Sequence, residues 1–265
     1  MTSLHRERRC AESIARLAGR HILRERSQEV DVSLKAPDDL VTNVDRSTER
    51  LIVERLRESF PDDRIAGEEF GHEQGSHGGE GERTWIIDPI DGTLNFAHGV
   101  PLYCVSIGLQ IEGQTRVGVI YDPNRDEMFS AAEGQGAHLN GQPMAVSDVD
   151  GLAPAVLVTG FPLGDTDYFE WTMRQFDLLT RRSRGIRRLG SAAIDLAYVA
   201  AGRLDAFWEY GLNPWDTAAG ILLVTEAGGK VTAINGSPFS VDGPSIVASN
   251  GHFHTALLDA LQSVV

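Results

Sequence analysis

Trp85-Ile86-Ile87-Asp88-Pro89-Ile90-Asp91-Gly92-Thr93-Leu94-Asn95-Phe96 is the stretch on which the reading of this chain turns. Residues 84–87 have the pattern of a buried strand that delivers Asp88 to its C-terminal end. Pro89 has no N–H for a ladder, so regular sheet or helix is expected to stop there. The chain must turn, and the turn brings Asp91 back beside Asp88. Gly92-Thr93 then opens a helix whose free N–H groups suit an anion. Carboxylates beside an anion site make sense with cations between them. Hard oxygen ligands without nearby His or Cys point to Mg²⁺ or Mn²⁺ and away from zinc. Two carboxylates about 4 Å apart repel by roughly 4 kcal/mol at an effective dielectric of about 20. Several in one pocket therefore need metal, or take up protons. A lone Asp after a strand is usually a turn or cap residue. That reading suits Asp91 or Asp216 taken singly, but not Asp-Pro-Ile-Asp-Gly-Thr after an apolar run.

Three further groups place carboxylates at element ends. Gly67-Glu68-Glu69 follows the short strand Ile65-Ala66-Gly67. Trp215-Asp216-Thr217-Ala218-Ala219-Gly220 opens a helix that ends near Glu226-Ala227-Gly228-Gly229. Asp45 lies beside Thr42 and Asn43 at a helix start, with Asn43 read as the cap.

Working outward, apolar spacing predicts a helix over 4–26, with Ile14, Leu17, Ala18 and Ile22 on one face. A polar connector, 31–39, contains Pro37. The next helix buries Leu51, Ile52, Val53 and Leu56 and stops at Phe60 before Pro61; Glu49, Arg50, Glu54, Arg55 and Arg57 read as its solvated face. Segment 72–83, with Gly75, Gly78, Gly79 and Gly81, reads as a surface loop that either shapes substrate access or is inert. Strands over 105–111, 115–121 and 128–131 alternate with turns, and Asn140-Gly141 signals a two-residue hairpin, so this part is antiparallel sheet. Beyond 153, strand-like runs at 155–159, 204–208, 231–233 and 246–248 alternate with helices over 168–181, 192–201, 215–227 and 252–261. That rhythm is α/β layering. The expected organisation is one domain, 1–265, with an α+β sub-region over 1–150 and an α/β sub-region over 151–265.

Composition narrows the function. With 265 residues, 42% of them hydrophobic, the chain buries a sizeable core without staples. Asp+Glu outnumber Lys+Arg 38 to 24, a net charge of -14. That field repels phosphate backbones and anionic lipid, so a nucleic-acid partner is not expected. The two cysteines, Cys10 and Cys104, exclude a disulfide framework and a Cys-rich zinc site, and Cys104 reads as a small buried hydrophobe. No apolar run reaches about 18 residues, so no membrane span is expected. The charged N-terminus lacks a signal-peptide pattern, and a cytoplasmic protein is expected. The phosphate loop, dinucleotide fingerprint, zinc-peptidase helix and nucleophile elbow are all missing. His252 and His254 read as surface or cap residues.

At the quoted residues the sequence resembles the inositol monophosphatase family of lithium-sensitive, magnesium-dependent phosphatases. Residues 85–96 match the family's first signature and 215–229 its second; Gly67-Glu68-Glu69 and Asp39-Leu40-Val41-Thr42-Asn43-Val44-Asp45 match in order and spacing. The resemblance covers essentially the whole chain. It implies a layered αβαβα sandwich of the sugar-phosphatase type, with an antiparallel sheet in the N-terminal half and a smaller mixed sheet in the C-terminal half. It implies that Glu68, Asp88 and the Ile90 carbonyl hold a first Mg²⁺, that Asp88, Asp91 and Asp216 hold a second, and that Glu68 borders a weaker third site, Mn²⁺ being able to substitute. Gly92 and Thr93 would bind phosphate through backbone N–H groups. Thr93 with Asp45 would position and deprotonate the attacking water. Glu209 would contact a sugar or inositol hydroxyl, and Gly190-Ser191-Ala192 would line the polyol. Lys35 falls near the family's active-site loop lysine. A homodimer, lithium inhibition and a small phosphorylated polyol or sugar as substrate are further family expectations, with hydrolysis of myo-inositol 1-phosphate the leading activity.

Fructose 1,6-bisphosphate, histidinol phosphate and 3′-phosphoadenosine nucleotides stand as alternative substrates. Arg181, Arg182, Arg184, Arg187 and Arg188 would either face a second phosphate or form a solvated helix end, edge strand or dimer contact. The same arginines are the sequence support for a non-enzymatic alternative, a regulatory partner of RNA or transcription machinery.

Overall fold

Ala11, Ile14, Ala15, Ala18 and Ile22, buried at helical spacing, seat α1 (His5–Glu25) against the protein. The computed structural model describes residues 4–26, 31–36, 39–73, 83–162 and 166–265. Pro37 and most of the glycine-rich segment, including Gly75, Gly78, Gly79 and Gly81, lie outside the described residues.

The expected connector over 31–39 is instead a hairpin of β1 (Val32–Ala36) and β2 (Asp39–Thr42). Val32-Ser33-Leu34 pairs with Leu40-Val41-Thr42, an alternation that the polar flanks conceal. The following helix, α2 (Asn43–Ser59), is capped by Thr42 and not by Asn43. Thr42 Oγ1 accepts the Val44 and Asp45 N–H groups, while Asp45 accepts the Thr42 N–H at 2.9 Å. Asn43 turns the other way and accepts the Asp31 N–H at 3.1 Å.

The large sheet contains β3 (Arg64–Gly67), β4 (Gly71–Glu73), β5 (Arg83–Asp91), β6 (Cys104–Ile111), β7 (Gln114–Asp122), β8 (Glu127–Ala132), β9 (Ala137–Leu139) and β10 (Gln142–Met144). Its order is β10-β9-β8-β7-β6-β5-β3-β4. Neighbours are antiparallel except β3 and β5, which run parallel with Gly67 opposite Ile87. The Asn140-Gly141 turn joins β9 to β10 with both residues at positive φ, as a two-residue hairpin requires. Strand β5 does not end at Asp88. Asp88 faces Ser106 and Asp91 faces Cys104, so one residue is extra and the strand bulges. Pro89 is tolerated because the ladder skips it there.

The smaller sheet is mixed. It contains β11 (Val156–Thr159), β12 (Gly185–Arg187), β13 (Ala206–Tyr210), β14 (Lys230–Thr232) and β15 (Ser245–Ser249) in the order β12-β11-β13-β15-β14. The helix opened by Gly92-Thr93 is short, α3 (Thr93–Ala97). The remaining helices are α4 (Thr166–Arg182), α5 (Ala192–Ala200), α6 (Pro214–Glu226) and α7 (His254–Gln262). Among the described residues, no helix is long and apolar enough to cross a membrane.

Five layers result. α1 and α2 cover one face of the large sheet, with Trp85, Ile107 and Val119 in the core between them. α5 and α6 fill the space between the sheets, against Cys104, Ile120 and Phe129 on one side and Phe207 and Ile246 on the other. α4 and α7 cover the outer face of the small sheet. α6 lies directly on β7 because Gly118 has no side chain; a Cβ there would overlap the Ala219 backbone. His254, expected at the surface or as a cap, is buried at the start of α7 and lies 2.9 Å from Thr232 Oγ1 and 2.8 Å from Ser249 Oγ. Burial pushes its pKa down to about 4, so it stays neutral.

Candidate active site and metal centre

The parallel pairing of β3 with β5 sets two carboxylates side by side, Glu68 just past β3 and Asp88 within β5. The turn carrying Glu68 is anchored from below. Glu49, read from sequence as part of a solvated face, is buried in α2 and accepts the Glu69 N–H at 2.8 Å and the Phe70 N–H at 2.9 Å. In the β5 bulge, Asp88 Oδ1 accepts the Ile90 N–H at 2.9 Å, which leaves its other oxygen for the pocket.

Gly92 follows at φ 99, where a Cβ would lie 3.0 Å from the Leu102 carbonyl oxygen and 3.2 Å from that of Gly190. Only glycine fits, and it aims Thr93 toward α2. Thr93 Oγ1 lies 2.8 Å from Asp45 Oδ1 and 3.0 Å from the Ile90 carbonyl, its single proton shared between these acceptors. Asp45 is fully buried. Burial raises its pKa, against hydrogen bonds from Thr42 and Thr93 that lower it. A carboxylate held this way is a competent proton acceptor behind a hydroxyl.

Asp91 points toward the second sheet. Its Oδ2 accepts the Ser191 hydroxyl at 2.7 Å and the Ala193 N–H at 2.6 Å. Ser191, the N-cap of α5, thus fixes a pocket carboxylate as well as its own helix. Asp216 comes from the first turn of α6, where Pro214 starts the helix and the Asn213 N–H donates to Asp216 Oδ2 at 2.7 Å. Asp88, Asp91 and Asp216 each bring an oxygen within 4.8 Å of the other two.

The electrostatics have one sign throughout. Burial, then the charges of Glu68, Asp91 and Asp216, push Asp88 well above the usual carboxylate range. Burial and then the Asp91 charge do the same to Asp216. Asp91 is raised by burial, against its Ser191 and backbone hydrogen bonds. Four such groups cannot all be bare anions together. The nearest soft donor, Cys104, is buried, and burial together with Asp91 keeps its thiol protonated. The donor set is therefore hard oxygen, which fits Mg²⁺ or Mn²⁺.

Beside this cluster a cavity of about 150 Å³ opens between α5 and β13, lined by Asp91, Arg188, Asp195, Glu209, Leu212 and Asp216 among others. Gly190, Ser191 and Ala192 form part of its wall, as the motif implied. Burial and the Asp91 charge push Glu209 up to about 8, against Arg188 and the Gly160 N–H. Of the arginine cluster, Arg188 alone lines this cavity; Arg181 pairs with Asp177 at 2.8 Å on the exposed side of α4. Lys35 lies in β1, and its side chain falls outside the described residues.

The profile of the inositol monophosphatase family matches residues 3–265. The chain belongs to the inositol monophosphatase family. That family consists of metal-dependent phosphomonoester hydrolases, and the acidic cluster is where such a member is equipped to hold metal. The chain is 47% identical over 253 residues to the Nus factor SuhB of Pseudomonas aeruginosa, covering 94% of this chain and 93% of that protein. It is 47% identical over 223 residues to the inositol-1-monophosphatase of Synechocystis sp., covering 84% of this chain and 77% of that protein. Among solved structures, the extragenic suppressor protein suhB of Bartonella henselae superposes with a TM-score of 0.92 at 39% identity, covering 97% of this chain and 98% of that one.

Three features of this inositol monophosphatase family member escaped the sequence reading. Glu49 shares the buried face of Ile52, Val53 and Leu56, a spacing that marks an inward charge. Asp195 stands four residues after Ser191, on the same face of α5 and one turn further in. Arg188 was one of five arginines, and no local pattern separated it from the rest.

Proposed function

We propose that this protein hydrolyses small phosphorylated polyols, myo-inositol 1-phosphate foremost, with two to three Mg²⁺ ions, Mn²⁺ being able to substitute. The observation that supports this reading most is the approach of Asp88, Asp91 and Asp216 to within 4.8 Å of one another. Glu68, Asp88 and the Ile90 carbonyl would hold one ion; Asp88, Asp91 and Asp216 a second; Glu68 would border a third. Bound ions supply charge neutralisation at the phosphate, Lewis acidity and a lowered pKa for water.

The chain's own groups do the rest. Thr93 Oγ1 receives a proton from the attacking water as its own proton passes to Asp45 Oδ1, 2.8 Å away. The water oxygen bonds to phosphorus as the ester P–O bond breaks in line, and the departing alkoxide takes a proton from solvent. The backbone of Gly92 and Thr93 holds the phosphate, while Glu209 and Gly190-Ser191-Ala192 face the leaving group. No covalent enzyme intermediate is required. We further propose that residues 1–265 act as one domain, since the site draws on both sheets, and that the enzyme is a homodimer, measurable by light scattering.

The test is phosphate release with Mg²⁺ from myo-inositol 1-phosphate, fructose 1,6-bisphosphate, histidinol phosphate and a 3′-phosphoadenosine nucleotide. Release from inositol phosphate that stops with a chelator is expected. No release from any of them ends the reading.

A second reading, a transcription-associated role, is supported by the name of the Pseudomonas aeruginosa relative. It is also supported by a basic cleft of about 310 Å³ where His5, Arg8, Arg9 and Arg16 of α1 face His138, with Glu12 the sole acid among its lining residues. RNA binding that weakens with salt and survives Asp88→Asn is its expected signature. Absence of binding at low salt removes it.

A further inference from the structure

We propose that Asp195 selects the leaving group: its buried carboxyl oxygen accepts a hydroxyl of the polyol that occupies the cavity. This rests on the phosphomonoester reading above and assigns a residue that reading does not use.

Asp195 is the one charged-type side chain of α5, within Ala192-Ala193-Ile194-Asp195-Leu196-Ala197. It is 1% exposed, and its Oδ1 has no hydrogen-bond partner among the described residues. A buried carboxylate oxygen without a donor is a liability in a folded chain. Its own helix cannot relieve it, because the N-terminal donors of α5 are committed to Ser191 and Asp91. The carboxylate lines the same cavity as Asp91, Asp216 and Glu209, so a donor must come from whatever fills that space. The phosphate belongs at Asp88, Asp91 and Asp216; what extends into the cavity is the leaving group.

The charges around the cavity then define its chemistry. Asp195 and Glu209 face it with Arg188 as the single cation among the lining residues. A polyol hydroxyl donates to Asp195 without bringing charge. A second phosphate would bring its charge into a space whose lining offers one cation, Arg188.

Two variants isolate the hydrogen bond. Asp195→Ala removes the acceptor and suits a helix interior. Asp195→Asn keeps an acceptor oxygen in the same place. Thermal unfolding confirms that each variant is folded, and kcat and KM are measured with Mg²⁺ on myo-inositol 1-phosphate, fructose 1,6-bisphosphate and p-nitrophenyl phosphate. For Asp195→Ala, kcat/KM on inositol phosphate relative to p-nitrophenyl phosphate is expected to fall by about tenfold or more, carried by KM. For Asp195→Asn, which keeps the acceptor, the same ratio should stay within about threefold of the wild type. Equal losses on all three substrates, or an unchanged ratio in Asp195→Ala, overturn the assignment while leaving the phosphatase reading intact. A wild-type enzyme that releases phosphate from none of the three defeats that reading, and this assignment with it.

Discussion

Asp88→Asn should stabilise the metal-free protein while it destroys the enzyme. The substitution keeps the oxygen that accepts the Ile90 N–H and removes one negative charge from the cluster. Carboxylate oxygens within 4.8 Å of one another repel by about 3.5 kcal/mol per pair at an effective dielectric of about 20. Proton uptake by the cluster relieves part of this, so the expected gain is about 1–3 kcal/mol. At this chain length that corresponds to roughly 2–10 °C in Tm. The pH dependence follows from the raised folded pKa of Asp88. Below about pH 4 the group is neutral folded and unfolded alike. As pH rises from there toward the folded value, the unfolded chain releases a proton that the folded one keeps, and stability falls. Thermal unfolding in chelator across pH 4–8 should therefore slope downward for the wild type and less steeply for Asp88→Asn. With Mg²⁺ the order reverses, because the wild type gains more from binding, and turnover of the variant falls by more than about a hundredfold. A metal-free variant that melts below the wild type at neutral pH refutes the reasoning.

Thr93→Ala should lower kcat by about a hundredfold or more with little change in KM, and Thr93→Ser should restore most of it, since a hydroxyl at the same place is what the geometry asks for; steady-state kinetics decide. Glu49→Ala leaves the Glu69 and Phe70 N–H groups without their acceptor, so the fold should lose about 2–4 kcal/mol by denaturant unfolding and Mg²⁺ affinity by calorimetry should weaken as the Glu68 turn loosens. Metal loading at neutral pH should release protons, because Asp88, Asp216 and Glu209 all bind theirs more tightly than ordinary carboxylates; calorimetry in buffers of different ionisation enthalpy reads the number, and zero release contradicts the crowded-carboxylate picture.

Much of the site is legible because its logic is local. Asp88, Pro89, Asp91, Gly92 and Thr93 fall within six positions, and the bulge and turn that arrange them are consequences of those residues. The two-residue hairpin at Asn140-Gly141 is legible for the same reason. What hides is anything decided by a distant neighbour. Nothing around Gly67 states that β3 pairs with β5, or that the pair is parallel. Glu49 keeps company with the exposed Arg50, Glu54 and Arg55, and only the turn beyond β3 draws it inward. His254 was misjudged because its partners, Thr232 and Ser249, belong to two strands of the small sheet.

The lone parallel pair inside an otherwise antiparallel sheet also divides the site mechanically. Asp88 sits in β5 and Glu68 directly follows β3, strands joined by a ladder up to Gly67 and Ile87, with Glu49 tying down the turn beyond. Asp216 rides on a helix that rests on the sheet through close van der Waals contact at Gly118, with no ladder to hold its azimuth. The Asp216 side is therefore expected to be the more compliant half of the pocket. Heat, pressure or a bulky residue under α6 will shift the Asp216 side first, and the ion it shares will be the first to loosen.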